Sequence, residues 1–411
     1  MRRLGKLFLM ACLLAGSFAT LWLAVGEPWE ILADGAHYVE IYRGEPAAAP
    51  FGYRVLTPLL ARVLPWGMDG SFFIVTIACL VLAGGVLGVH AARVSGLRAT
   101  GLLACAFWGL SFPFVYYATT GIRADAPMLL LLVVAYVVSV RCASVLLLLA
   151  LVAVGMLAHE LMLILLPALW LDKVFAGTPV MGQSCRGAAC RRPRASQATP
   201  LQHPRETDAL RTTTGGARYG WWSLVVLAVG ALGFLVFTHW AIPVKPGALS
   251  YDSMTPKALL AFVLQYSGGL PKHAMRIYAA WGPALVFAGA WLVRQGTRGE
   301  LRAFVGLFLV AVAATFLATD TLRVMEVLYV PVCIYAAAFV GGLWQAGRRW
   351  AAVIAVAVQA AYAFVVFGHL RTFETSPVMN GIAAGLSVAA VGFWLLERRG
   401  GLGRFICKSG A

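Results

Sequence analysis

From Leu4 to Val25 the chain is apolar apart from Lys6, and runs of the same kind recur almost to its end. A membrane-crossing helix needs roughly 20 mostly apolar residues, with about 17–25 as the working range. Candidate runs are Leu4–Val25, Ser71–His90, Thr100–Ala118, Ala126–Val140, Ser144–Leu171, Trp221–Ile242, Tyr278–Val293, Ala303–Ala318, Val324–Trp344, Trp350–Gly368 and Val378–Leu396. Composition agrees, because 61% of the 411 residues are hydrophobic and 12% are charged, against about 45–50% and about 25% in soluble domains. A soluble enzyme and a largely disordered chain are both excluded. The reading is an all-α, polytopic integral membrane protein.

Lys and Arg total 33 against 17 Asp and Glu, a net charge of +16. Nucleic acid is not the implied partner, because the basic residues sit between apolar runs, where the positive-inside rule expects them. The clusters are Arg93 with Arg98, Arg141, the arginines of 173–218, Arg294 with Arg298 and Arg302, Arg348 with Arg349, and the basic C-terminal residues. Placing each of them in the cytoplasm places both termini there. Arg2 and Arg3 precede the first run, which lacks a convincing small-x-small cleavage site and reads as a retained anchor. Ser144–Leu171 alone resists a single crossing. It is long, flanked by basic residues at both ends, and interrupted by His159 and Glu160. A re-entrant pair of half-helices turning near those residues resolves the conflict, provided the broken backbone is buried in protein or lines a cavity. The expected total is about twelve transmembrane or half-membrane helices.

Residues 177–220 are rich in Ser, Thr, Arg, Gly and Pro without apolar period, and read as a disordered basic cytoplasmic linker. It separates an N-terminal membrane module, 1–176, from C-terminal membrane helices, 221–411. Of the eight cysteines none falls in a segment placed outside, so no structural disulfide is expected.

With this orientation the unusual polar residues gather on the outer side. The first external loop contains ADGAHYVEIYRGEP, where a helix over 33–43 would put Asp34, His37, Tyr38 and Ile41 on one face. Next, Tyr53–Leu64 is too short to span and reads as an amphipathic interfacial helix with Arg54 and Arg62 available to lipid phosphate. The short loop TTGIRADAP presents Arg123 and Asp125, the latter placed to cap a helix. His159–Glu160 is the third polar point. The fourth is ATDTLRVMEVLY, where Asp320, Arg323 and Glu326 line one side of a helix. Ordinary explanations exist for each: a solvated helix, a local ion pair, a buried turn pair, a self-neutralising triad. Charged groups at membrane depth cost roughly 2.5–3.5 kcal/mol on insertion scales and are usually paired and functional. Their convergence on one side of the membrane favours function. The external segment Pro243–Ile277 adds Lys245, Lys257, Lys272, His273 and Arg276 as candidates for an anionic head group, with a helix expected from Thr255–Pro256 to about Ser267.

Over roughly residues 1–175 this layout resembles the GT-C (C-type) superfamily of polytopic glycosyltransferases. The resemblance rests on Asp34 in a long first external loop, the segment FGYRVLTPLLARVLP, Asp125 before the next helix, and the broken run around LAHELMLILLP. It implies an inverting transfer of a sugar from a polyprenyl-phosphate donor to an acceptor on the outer (periplasmic) face. Asp34, Asp125 and Glu160 would be the catalytic carboxylates. His37, Tyr38, Arg54, Arg123, His159, Asp320, Arg323 and Glu326 would bind substrate, with a divalent cation as a possible cofactor. The sequence departs from the usual pair of acidic residues, because Gly35 follows Asp34. The expected setting is a bacterial inner membrane, with membrane lipid and the lipid-linked sugar as partners. A transporter or lipid flippase, or a non-catalytic membrane scaffold, is the competing reading; the former would place its site at the bilayer midplane.

Overall fold

The computed structural model describes residues 2–25, 33–48, 50–120, 122–141, 144–164, 221–245, 256–266, 269–294, 298–316 and 321–366, with 166 and 385 as isolated positions. Among these the regular structure is helical. In chain order the helices are α1 (Arg2–Val25), α2 (Ala33–Arg43), α3 (Leu56–Arg62), α4 (Met68–Ser95), α5 (Arg98–Gly109), α6 (Phe112–Thr119), α7 (Ala126–Arg141) and α8 (Val145–Met156). The second half contributes α9 (Trp221–Ala241), α10 (Pro256–Tyr266), α11 (Leu270–Ala279), α12 (Pro283–Arg294), α13 (Arg298–Thr315), α14 (Thr321–Val324), α15 (Tyr329–Gln345) and α16 (Arg349–Val366). Single 3-10 turns cover Phe51–Tyr53, Glu160–Ile164 and Met325–Leu328.

Among the described residues four helices are long and apolar enough to cross a membrane: Leu4–Val25, Met68–Ser95, Trp222–Ala241 and Leu322–Gln345. The number rises to six if each of two bent pairs is one span. Thr100–Ala118, expected as one run, is such a pair: α5 and α6 meet at 53°. The expected run Tyr278–Val293 is likewise α11 joined to α12 at 76°, and begins earlier, at Leu270. The 177–220 linker, the run 378–396 apart from the isolated position 385, and the part of the expected 144–171 hairpin beyond Ile164, apart from position 166, lie outside the described residues.

Small residues set the packing of the first half. On α1, Ala11, Ala15, Ala19 and Trp22 recur at helical spacing and are buried, with Ala11 and Ala15 set against Gly88 and Gly84 of α4. Between α4 and α5 the backbones themselves touch, because a methyl at Gly101 would collide with the Gly88 carbonyl. Lipid tails are as apolar as leucine side chains, so close contact of this kind, rather than hydrophobic exclusion, drives helix association in a bilayer. Opposite faces expose Leu9, Met10 and Leu13 on α1 and Val229, Val236 and Phe237 on α9, as lipid-facing surfaces should.

The two bends would leave orphan backbone groups at membrane depth. Each is met by a side chain from a distant helix. At the first, Trp22 Nε1 donates to the Gly109 carbonyl at 2.9 Å and Gln359 Nε2 to the Leu110 carbonyl at 3.0 Å. At the second, Tyr362 donates to the Ala279 carbonyl at 3.2 Å, and the Ala284 N–H donates to Gln359 Oε1 at 2.9 Å. Gly282, at φ +52°, makes the turn, with the Tyr362 ring lying where a side chain would be. One buried amide on α16 therefore serves both breaks. Gln359→Leu should cost roughly 1–3 kcal/mol for each group it orphans, read as a lower unfolding midpoint in detergent. A midpoint equal to wild type would show that Gln359 does not hold the bends.

Candidate functional site

The site is built where the first turns of α4, α7 and the α14–α15 span meet. A second apolar cluster of Tyr38, Val39, Ala61, Phe72, Val75, Ile122 and Ala124 packs α2, α3 and the 122–125 loop onto the start of α4. The expected helix over 33–43 forms as α2. Asp34 and Tyr38, one turn apart, face the protein, and Tyr38 is fully buried. His37 instead stays at the rim, 3.2 Å from Glu40 and stacked on Phe51.

The segment expected as one interfacial helix over Tyr53–Leu64 divides into the Phe51–Tyr53 turn and the shorter α3. Arg54 lies between them, and this reverses its expected role. It is 6% exposed and turned inward, not toward lipid phosphate. Its Nη2 and Nε bind the two Glu160 oxygens at 2.6 and 3.1 Å, and Nη1 reaches the Tyr38 hydroxyl at 3.4 Å. Arg62 remains exposed. The inner face of α3 secures both functional loops: Thr57 Oγ1 donates to the Ala124 carbonyl at 2.5 Å, and the Leu56 N–H to the Leu157 carbonyl at 2.9 Å.

Arg123 and Asp125 do not form a local pair. Arg123 binds Asp34 Oδ2 and lies over the Tyr116 ring. Asp125 stands at the start of α7, but its carboxylate reaches across the chain, with Oδ2 accepting from Arg323 Nη2 at 2.7 Å. Arg323 also approaches Asp34 Oδ2 with Nη1 at 3.4 Å. Arg323 thus pairs the two halves of the chain; Asp320 lies outside the described residues. Glu326, fully buried, accepts from the Tyr117 hydroxyl at 2.8 and 2.9 Å.

His159 ends the α8 strand of the network. Its Nδ1 accepts the Leu161 N–H at 3.1 Å, and its Nε2 lies 3.4 Å from Asp125 Oδ1. Asp34, Asp125 and Glu160, with Arg54, Arg123, Arg323, His159 and Tyr38, therefore form one continuous cluster. It is open at Asp34 and Glu160, whose side chains are 30% and 43% exposed. A small apolar crevice of about 20 Å³, lined by Leu132, Tyr136, Ile164, Leu307, Val327, Val330 and Pro331, adjoins the segments that carry Glu160 and Glu326.

The external lysine and histidine candidates separate. Lys245 pairs with Glu40 at 3.1 Å, and its N–H donates to the Ala47 carbonyl at 2.9 Å, tying the end of α9 to the first loop. His273 is buried and 2.9 Å from Thr315, so it does not face a head group. Sequence reasoning missed Phe51, Thr57, Tyr116 and Tyr117. Their only signal was aromatic or hydroxyl character beside polar motifs, which core residues share.

Burial pushes the Asp125 carboxyl up, but Arg323 first, then His159 and Arg54, outweigh it and hold the group at about 2. Burial and Arg54 push His159 down to about 4, so the ring is neutral at pH 7. Burial raises Glu160, and Arg54 more than reverses this, leaving it well below the usual carboxylate range. Among the described residues no three His, Cys, Asp or Glu side chains converge as a metal site. Asp34, Asp125 and Glu160 are each paired to arginine, so the residues do not fit a divalent cation without displacing a guanidinium.

Both low pKa values destabilise the protein in acid. The unfolded chain binds the extra proton between about 4 and 6.5 for His159 and between about 2 and 3.8 for Asp125, so stability rises with pH through each window. The unfolding midpoint should be level above pH 6.5, fall as pH drops toward 4, and fall again below 3.8. His159→Gln should remove the upper step, as a pH series on detergent-solubilised protein would read. Arg323→Met should cost about 3–5 kcal/mol, because it strands a buried carboxylate; a variant as stable as wild type would refute the Asp125–Arg323 pairing. No protein-family model, no curated protein and no solved structure matches the chain.

Proposed function

We propose that the chain is a membrane glycosyltransferase that moves a sugar from a polyprenyl-phosphate donor to an acceptor hydroxyl on the outer face of the membrane, the chemistry of the GT-C layout it resembles. The observation that carries the reading is the joining of Asp34, Asp125 and Glu160, from three separate segments, into one network with Arg54, Arg123 and Arg323. Its placement supports the orientation. On α4, α7 and the α14–α15 span, the site lies at one end, while Arg93, Arg141 and Arg348 lie at the other. Under the positive-inside rule the arginine ends are cytoplasmic and the site is external. The full count of about twelve membrane helices, both termini in the cytoplasm and a bacterial inner membrane belong to the same proposal.

In this reaction the acceptor hydroxyl attacks the anomeric carbon as the bond to the phosphate oxygen breaks, inverting the centre. Asp34 takes the hydroxyl proton, a role worth about 10²–10⁴-fold in rate. Its Oδ2 holds Arg123 and Arg323. When the carboxylate is neutralised by that proton, Arg123 loses its carboxylate partner and Arg323 keeps only its pair with Asp125, so positive charge is made available to the departing phosphate. Fixed cationic donors of this kind stabilise developing charge strongly in a water-poor site. Membranes given labelled polyprenyl-phosphate sugars should transfer label with wild type and none above background with Asp34→Asn, while insertion stays intact. Wild-type turnover by purified Asp34→Asn would refute the base assignment.

One observation favours transport: two bent apolar pairs, the kind of discontinuous helix that transporters use to bind ions with free backbone ends. Here Trp22, Gln359 and Tyr362 occupy four of the backbone groups at those ends. That filling, and the position of the charged cluster at helix ends, favours the transferase.

A further inference from the structure

We infer that Asp125 and His159 form a buried subsite for one neutral hydroxyl group, held by Asp125 Oδ1 as acceptor and His159 Nε2–H as donor. Asp125 is 1% exposed, its Oδ2 is committed to Arg323, and its Oδ1 has no hydrogen-bond donor among the described residues. A buried carboxylate oxygen left so is costly unless a ligand or water completes it. His159 is 6% exposed. Because its Nδ1 takes the Leu161 N–H, the neutral ring carries its proton on Nε2. Nε2 and Oδ1 lie 3.4 Å apart, near enough to share a third atom but without a hydrogen bond between them. A hydroxyl oxygen beside both, about 2.8 Å from each, would accept from Nε2–H and donate to Oδ1. Of the common ligand groups a hydroxyl does both within one atom.

Charge excludes the alternatives. The Asp125 carboxylate is already matched by Arg323, and the imidazole is neutral. An anion would meet the Asp125 carboxylate, and a cation would compete with Arg323. The subsite is one guanidinium from Asp34, since Arg323 contacts both carboxylates. This deepens the transfer reading, on which it rests only for the identity of the molecule that carries the hydroxyl. His159 thereby becomes a binding group for sugar or acceptor rather than a base.

The test uses the full-length chain in lipid nanodiscs with nitrogen-15-labelled histidine, the His159 signal being assigned by its loss in His159→Phe. Methyl glycosides are titrated first, then short-chain polyprenyl-phosphate sugars and their monodeoxy analogues. The His159 Nε2–H signal should shift on binding. One deoxy analogue should bind about 10- to 100-fold more weakly than its parent, the range for a hydrogen bond to a charged group. His159→Phe should bind the two alike. His159→Gln, which keeps an N–H donor, should retain the discrimination and guard against a folding defect in the phenylalanine variant. A signal unmoved by every glycoside and lipid-linked sugar overturns the subsite. Discrimination that survives in His159→Phe overturns it as well, and leaves the transfer reading standing if label is still transferred. Methyl glycosides that shift the signal while no lipid-linked sugar binds would uphold the subsite and sink the transfer reading.

Discussion

Asp125 sits almost wholly out of solvent, one residue before an apolar helix, and it is ionised. Taking a carboxylate out of water costs several kcal/mol even after relaxation, and only a well-placed counter-ion offsets it. The counter-ion is Arg323, from the far half of the chain. Arg323 in turn approaches Asp34, which binds Arg123. Each buried charge in this web is tolerable only because the next segment supplies its partner. The web therefore fixes how α2, the 122–125 loop and the α14 segment meet, and Arg54–Glu160 does the same for the turn after α8. Specific docking of the two halves and assembly of the site are one event.

The bent helices serve the same place. α6, beyond the first bend, carries Tyr117 to Glu326. At the second bend Trp281 Nε1 donates to the Met325 carbonyl at 3.1 Å. Both breaks thus converge on residues 325 and 326, where the long Leu322–Gln345 span begins with a 3-10 turn. A straight α5–α6 rod would carry Tyr117 along the α5 axis instead. Irregular backbone is admissible at membrane depth only where protein satisfies it, and Gln359 with its neighbours supplies that condition. The bends are the means by which two apolar rods bring polar groups to a charged cluster.

How much of this was legible in the sequence depended on range. α2 was legible because its signal is local, a spacing of three and four residues around Asp34 and Tyr38. The four polar points were legible because charge is scarce in so apolar a chain. Arg54 was not, because in FGYRVLTPLLARVLP it and Arg62 fit the same helical period. The helix starts only at Leu56, so Arg54 escapes that period and turns inward. The partners of Asp125 and Arg323 were hidden for a different reason: spacing favours the nearer charges, Arg123 and Glu326, and nothing local encodes a contact across the whole fold. Continuous hydropathy concealed both bends, although Pro113, Gly282 and Pro283 marked them. Gln359, a lone amide in AAVIAVAVQAAYAFVV, was visible, and its meaning came only with the breaks it fills.

Charge balance links the architecture to the proposed chemistry. A cluster in which each arginine already holds a carboxylate has little free positive charge for a phosphate, so an anionic donor needs cationic partners made available at the moment of reaction. Asp34 is suited to supply them. Its carboxylate touches two arginines, both through Oδ2, and its side chain is partly open to solvent. Asp125 cannot take the part, being buried and held ionised at about 2. Glu160 cannot release its arginine without breaking a bidentate pair. Proton uptake by Asp34 would leave Arg123 without its carboxylate and Arg323 with Asp125 alone as negative charge develops on the leaving oxygen. The acid–base step and the electrostatic step then become a single displacement of charge, and the cost of burying three arginines is met before substrate arrives.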